Sequence, residues 1–113
     1  MLIVDDHPDF RASARALLEA EGFEIVGEAA DGEEALRVVA ETAPAIVLLD
    51  IHLGELDGLT VAELICADPD PPAVVLISSR DAAAFGPRLR RTSARGFIAK
   101  NELSGAALAG LLG

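Results

Sequence analysis

Five apolar runs, each followed by a stretch of different periodicity, predict a doubly wound α/β domain whose parallel sheet is covered by helices on both sides. Two observations carry this expectation. The runs are continuous rather than alternating, as expected for strands buried on both faces. Four of them also end on polar residues: Asp5 and Asp6 after the first, Asp50 after the third, Ser78 after the fourth and Lys100 after the fifth. In open α/β sheets ligands bind outside the carboxyl ends of the strands, so four strands are expected to converge on one site.

Leu2 to Val4 forms the first run, and after Pro8 the residues Phe10, Ala14, Leu17 and Leu18 recur at helical spacing until Gly22. Glu24 to Ala29 reads as a second strand. Asp31, with Glu34 three residues on, then reads as the N-cap of a helix carrying Ala35, Leu36, Val39 and Ala40 on one face before Pro44. Ala45 to Leu49 is the third strand, and Leu59 to Ala67 resumes helical periodicity before the breaker Asp68-Pro69-Asp70-Pro71-Pro72. Ala73 to Ile77 and Gly96 to Ala99 are the fourth and fifth strands, and Ser104 caps a last apolar helix. The fourth helix is the exception. Proline inside a helix costs about 3 kcal/mol and glycine roughly 1 more, so Gly86-Pro87 cannot sit in its interior. The cheapest arrangement is a short helix from Pro87 through Arg88 to about Thr92 with Gly86 as its cap, leaving Ser79 to Phe85 as a loop or isolated turn.

A chain of 113 residues, 51% hydrophobic and 25% charged, fits one globular domain spanning residues 1–113, with no linker and no output domain expected in this chain. No apolar run approaches the roughly 20 residues that span a bilayer, and the acidic start has no basic n-region, so a cytoplasmic protein without membrane contact is expected. Cys66, the single cysteine, cannot close an internal disulfide and reads as a small buried hydrophobe. A net charge of −10 argues against direct nucleic-acid binding, which needs clustered cations. The charge is uneven: residues 1–79 hold 3 of the 9 basic and 17 of the 19 acidic side chains. Arg80, Arg88, Arg90, Arg91 and Arg95 form a basic cluster that reads equally as a solvated face or a partner surface.

Three carboxylates at one edge repel, at about 4 kcal/mol per pair for 4 Å and an effective dielectric near 20, unless a cation compensates. Mg²⁺ prefers oxygen ligands and commonly takes one or two carboxylates plus a phosphate, which matches Asp5, Asp6 and Asp50. No His or Cys spacing of the zinc kind is present, although His7 and His52 lie beside the acids. A carboxylate can be a covalent nucleophile towards phosphorus, with Lys100 and the Ser78 hydroxyl neutralising the transferring oxygens. Taken singly, these residues read as caps, loop acids or a surface lysine. Their meaning comes from convergence.

In order along the chain, Leu2-Ile3-Val4-Asp5-Asp6-His7, Val47-Leu48-Leu49-Asp50, Asp57-Gly58, Leu76-Ile77-Ser78 and Gly96-Phe97-Ile98-Ala99-Lys100 resemble the motifs of bacterial two-component response regulator receiver domains, over essentially the whole chain. The resemblance implies a flavodoxin-like fold with strand order 2-1-3-4-5, and a switch rather than an enzyme. It implies that Asp50 accepts a phosphoryl group from a sensor histidine kinase or phosphotransfer protein. Asp6 and Asp50 would bind Mg²⁺ directly, Asp5 mainly through water, and His52 through its backbone carbonyl. Ser78 and Lys100 would hold the phosphate, and Phe97 would be an aromatic switch that follows Ser78. His7-Pro8 and the absence of proline after Lys100 resemble the branch usually joined to a helix-turn-helix output domain, and a homodimer is a further expectation. Gly54 stands where many receivers carry proline. Asn101 stands where a cis-proline often follows the lysine, so a trans peptide is expected there.

Two rival readings use the same residues. A degenerate receiver would act as an unphosphorylated binding module, against which stands the complete set of Asp5, Asp6, Asp50, Ser78 and Lys100. A Mg²⁺-dependent aspartyl phosphohydrolase would usually carry a second acid in the nucleophile's own motif, where this chain has Ile51-His52-Leu53-Gly54.

Overall fold

The computed structural model describes residues 1–54, 56–79 and 85–113. Five parallel strands, β1 (Leu2–Val4), β2 (Gly27–Ala29), β3 (Ile46–Asp50), β4 (Ala73–Ser78) and β5 (Gly96–Ala99), form one sheet in the order β2-β1-β3-β4-β5. The register places Val4 beside Leu49, Asp50 beside Ile77, and Ser78 beside Ala99, which brings the polar strand ends to one edge. The helices are α1 (Pro8–Ala20), α2 (Gly32–Thr42), α3 (Gly58–Cys66), α4 (Pro87–Arg91) and α5 (Gly105–Leu112). Among the described residues no helix is long and apolar enough to cross a membrane.

Successive side chains of each central strand enter opposite cores, as the period of two requires. Leu2, Val4, Val47, Leu49, Val74 and Leu76 face α2 and α3, where they meet Ala35, Val61, Ala62 and Ile65. Ile3, Leu48, Val75 and Ile77 face α1 and α5, where they meet Ala14, Leu18 and Leu108. Both faces are dry, so the continuous apolar runs are explained. Burying one such aliphatic side chain stabilises the fold by about 1.5–3 kcal/mol, and this burial fixes where each strand ends.

Three helix starts follow their caps. Asp31, Asp57 and Ser104 accept from the backbone N–H groups of Glu34, Thr60 and Ala107. Glu34 reaches back to the Ala30 N–H rather than to that of Asp31, one residue beyond the usual capping box. The helix α4 begins at Pro87 after Gly86 at φ 56° and ψ −138°, and Thr92 is already extended. This is the short element that the Gly-Pro pair predicts. Arg80, Glu55 and the expected turn from Ser79 to Phe85, except its two end residues, lie outside the described residues. The peptide after Lys100 is trans, as expected, there being no cis bond among the described residues.

Several expectations need correction. The second strand is Gly27–Ala29, not Glu24 to Ala29. Its neighbour β1 offers only three paired positions, and the preceding chain is instead held by Val26 N–H donating to Met1 O and by the Met1 amino group donating to Glu24 O. Leu17 is 38% exposed and Ala40 is exposed, because the buried stripes of α1 and α2 run through Leu18 and Ala35 instead. Cys66 is half-buried rather than buried, although burial still raises its thiol pKa, with Glu63 adding to the shift. The chain after β5 coils at once into a 3-10 turn, Lys100–Glu102, that the sequence did not announce.

Candidate functional site

Asp5, Asp50 and Ser78 each stand at the carboxyl end of a central strand and are 0%, 2% and 0% exposed. Their positions follow from the strands: the apolar residues before them are locked in the two cores, so the next side chain must emerge at the edge. Lys100 follows β5 and reaches across the sheet. Its Nζ lies 2.6 Å from Asp5 Oδ2 and 3.3 Å from Asp50 Oδ2. The Lys100 ammonium also sits 4.4 Å from the centre of the Phe10 ring, a cation–π contact that helps hold the long side chain in place.

The two buried carboxylates differ in what they lack. Asp50 Oδ1 accepts from the His52 backbone N–H at 3.0 Å, which leaves Oδ2 facing the lysine. Burial pushes the Asp50 carboxyl above its ordinary range. The His52 amide pulls it back, Asp5 raises it further, and Lys100 lowers it. Asp5 Oδ1 accepts from the His7 backbone at 2.8 Å and faces His7 Nδ1 at 3.0 Å. Asp5 Oδ2 is shut from solvent and meets Lys100 Nζ at 2.6 Å, a close charge-assisted contact, and a carboxylate oxygen has a second lone pair to offer beside it. Asp6 stands on the exposed rim, its carboxylate 2.9 Å from His7 Nδ1.

One ligand atom from each of Asp5, Asp6, His7 and Asp50 falls within 4.8 Å of the others. Three acids against one ammonium leave a net negative edge with an under-satisfied buried oxygen, and hard oxygen donors of this kind fit a divalent cation such as Mg²⁺. The His52 backbone belongs to the same loop, tied to Asp50 by the amide hydrogen bond, while its imidazole leans 5.6 Å from the Phe85 ring. Phe85 in turn lies 6.1 Å from Phe97, which is half-buried on β5. A line of three rings therefore runs from the Asp50 loop to the fourth helix and fifth strand.

Asp5, Asp6, Asp50, Ser78, Lys100 and the His52 loop meet at this edge and Phe97 lies on the ring line, whereas Arg88, Arg90 and Arg91 stand on α4 and Arg95 beyond it; the structure adds others to the site. Gly58 packs so closely that a Cβ there would lie 2.1 Å from the Asp50 carbonyl oxygen and 2.6 Å from Ile51 Cα. Its own N–H donates to Ile51 O. This glycine sets the loop that presents Asp50, and in the sequence it was marked only by the Asp57-Gly58 motif. Arg11 donates to the Asp5 backbone carbonyl at 2.6 Å and to Glu28, tying α1 and β2 to the site. Neither Arg11 nor Phe10 had a sequence signal, since their partners lie on other elements.

Comparison with known proteins agrees with this geometry. The sequence pattern of the response regulator receiver domain matches residues 1–109. BvgA of Bordetella pertussis is 37% identical over 102 residues, covering 90% of this chain and 49% of that protein. LiaR, a transcriptional regulatory protein of Bacillus subtilis, is 34% identical over 80 residues, covering 70% of this chain and 38% of that protein. The crystal structure of a two-component response regulator of the LuxR family from Aurantimonas sp. SI85-9A1 superposes with a TM-score of 0.85 at 31% identity, covering 98% of this chain and 83% of that one. The chain spans about half the length of the curated relatives it matches.

Proposed function

Because this chain belongs to the response regulator receiver family, we propose that it is a phosphorylation-dependent switch of a two-component system in which Asp50 is the phosphoacceptor. The observation that carries this reading is Lys100 set between the buried carboxylates of Asp5 and Asp50. A sensor histidine kinase or phosphotransfer protein is the donor. An Asp50 carboxylate oxygen forms a bond to phosphorus as the bond from phosphorus to the donor's imidazole nitrogen breaks, the electron pair leaving with that nitrogen, which then takes a proton from solvent. Lys100 shifts from neutralising carboxylates to neutralising a phosphoryl oxygen. The Ser78 hydroxyl, on the adjoining strand, donates to another.

Asp6 and Asp50 hold Mg²⁺ directly in this reading, Asp5 mainly through water, and the His52 backbone carbonyl completes the protein ligands. Bound there, the ion lowers the repulsion among the acids and between them and the incoming phosphate. Ser78 drawn to the phosphate leaves space towards which Phe97 turns, and the ring line through Phe85 carries the change to α4 and the turn after it, where Arg90, Arg91 and Arg95 are exposed to an acidic partner or a second copy. Residues 1–113 act as one receiver domain in the cytoplasm, without direct contact to nucleic acid or membrane and without turnover of free phosphate esters.

Intact-mass measurement after incubation with a small phosphodonor tests this. One phosphoryl group is expected on the wild type with Mg²⁺, with little under chelation and none on Asp50→Ala. Equal, metal-independent labelling of Asp50→Ala would overturn it.

A further inference from the structure

Resting on the reading of this edge as a divalent-cation site, we propose that His7 is itself a ligand of the cation through Nδ1, and that it tilts the site from Mg²⁺ towards first-row transition ions. His7 stands at the N-cap of α1 but its side chain makes no capping hydrogen bond. The ring is 68% exposed, so packing does not force its direction; Nδ1 turns in to hydrogen-bond Asp5 Oδ1 at 3.0 Å and to lie 2.9 Å from Asp6 Oδ1, and a bound cation would take the place of the Nδ1 proton between the two carboxylates. Neighbouring ligand atoms of an octahedral ion with bonds of about 2.1 Å lie about 3.0 Å apart, and opposite ones about 4.2 Å. The 2.9 Å between His7 Nδ1 and Asp6 Oδ1 matches the first value, and the span of 4.8 Å for the four-residue set exceeds the second by an amount that the exposed Asp6 and His7 side chains can close.

A nitrogen ligand changes which ion the site prefers. Mg²⁺ takes oxygen and keeps its waters, whereas imidazole suits the later divalent ions of the first row. Three carboxylates alone would favour Mg²⁺ or Ca²⁺. Carboxylates joined by an imidazole bind Mn²⁺, Ni²⁺ or Zn²⁺ more tightly, and fastening His7 to the ion also fastens the N-cap of α1. His52 does not duplicate this role, since its ring leans on Phe85.

The chain holds only 2 histidines, which makes the test assignable. Pulsed electron paramagnetic resonance on the chain loaded with Mn²⁺ reads imidazole nitrogen bound to the ion. Nitrogen coupling is expected in the wild type and in His52→Ala, and not in His7→Ala or in His7→Asn, which retains a good helix cap. In parallel calorimetry, the preference for Ni²⁺ over Mg²⁺ is expected to fall by at least about tenfold in both His7 variants, a loss typical even of residues that merely orient a ligand. Mn²⁺ that Mg²⁺ displaces but that shows no nitrogen coupling, or coupling that survives loss of His7, would overturn the inference and leave the Mg²⁺ reading standing. Absence of any Mn²⁺ site that Mg²⁺ competes for would overturn both.

Discussion

At the carboxyl edge of the sheet, Asp5 follows and Asp50 and Ser78 end strands whose apolar side chains are locked into two cores, whereas α4 has no buried residue in its five. The helix packs on the core through the half-buried Leu89 and is tied to α3 by polar contacts near the surface. Arg88 donates to Asp57 at 2.7 Å, and the Ser93 N–H and hydroxyl, just beyond the helix, donate to the two oxygens of Glu63 at 2.8 Å. The first region is placed by burial worth several kcal/mol per strand; the second by one half-buried leucine and by exposed contacts worth about 1 kcal/mol or less each. The difference teaches where a signal can act. A phosphoryl group cannot remodel the edge cheaply, but it can shift a segment held this lightly.

The largest effect that could break this contrast is at Gly58. Gly58→Ala is expected to cost about 3 kcal/mol, because its Cβ would collide with the Asp50 carbonyl. Gly86→Ala meets open space but must leave φ 56° and ψ −138°, a region essentially reserved for glycine; because this lightly held segment can relax, it is expected to cost about 1–2 kcal/mol of the up to about 3 that such backbone strain carries. Urea unfolding of the two variants, if it gave equal losses, would remove the distinction between a fixed edge and a lightly held helix.

Asp50 supplies the next effect. Its pKa is raised by burial, so the folded chain binds more protons than the unfolded one in the window above the ordinary value of 3.8. Stability is therefore lost as pH rises through that window, and at neutral pH the ionised Asp50 is a liability in the absence of a divalent ion. Asp50→Asn is expected to melt higher than the wild type by several degrees in chelator, with the gap shrinking in Mg²⁺. Thermal melts showing Asp50→Asn to be less stable in chelator would contradict this account of the edge.

The anchors of α4 carry the opposite sign. Burial alone would raise the Asp57 carboxyl, but the Arg88 guanidinium and the Thr60 amide outweigh it and hold the group below its ordinary value of 3.8. The Ser93 amide and hydroxyl hold Glu63 below 4.5. Their contributions are present above those ordinary values and are lost as pH falls through the depressed ones. A double-mutant cycle on Asp57 and Arg88 is expected to give at most about 1 kcal/mol at neutral pH, fading in acid where the Asp50 liability also vanishes. Smallest of all, Arg90→Glu with Arg91→Glu is expected to change stability by no more than about 0.5 kcal/mol. A larger loss in chemical denaturation would mean that α4 belongs to the cooperative core.

The same contrast explains what the sequence disclosed. Asp5, Asp50, Ser78 and Lys100 were legible because each interrupts an apolar run, and a buried strand leaves only one place for its terminal polar side chain. The break before α4 was legible because Pro87 restricts the backbone locally. The length of β2 was not, since it depends on how many residues β1 offers as partners. Nor were Arg11 on the Asp5 carbonyl, Phe10 beneath Lys100 or the ring line from His52 to Phe97, for these join elements distant in sequence. The clash that keeps Gly58 a glycine depends likewise on the path of the preceding loop.

The most direct test of the account follows backbone amides and the Phe97 ring by solution NMR, before and after a phosphate mimic binds at Asp50 with Mg²⁺. The account predicts large changes at Ser78, at Phe97 and from Phe85 to Ser93, while amides in the middle of β1, β3 and β4 keep their shifts and their exchange protection. A mimic demonstrably bound at Asp50 that left Phe97 and α4 unchanged would contradict it.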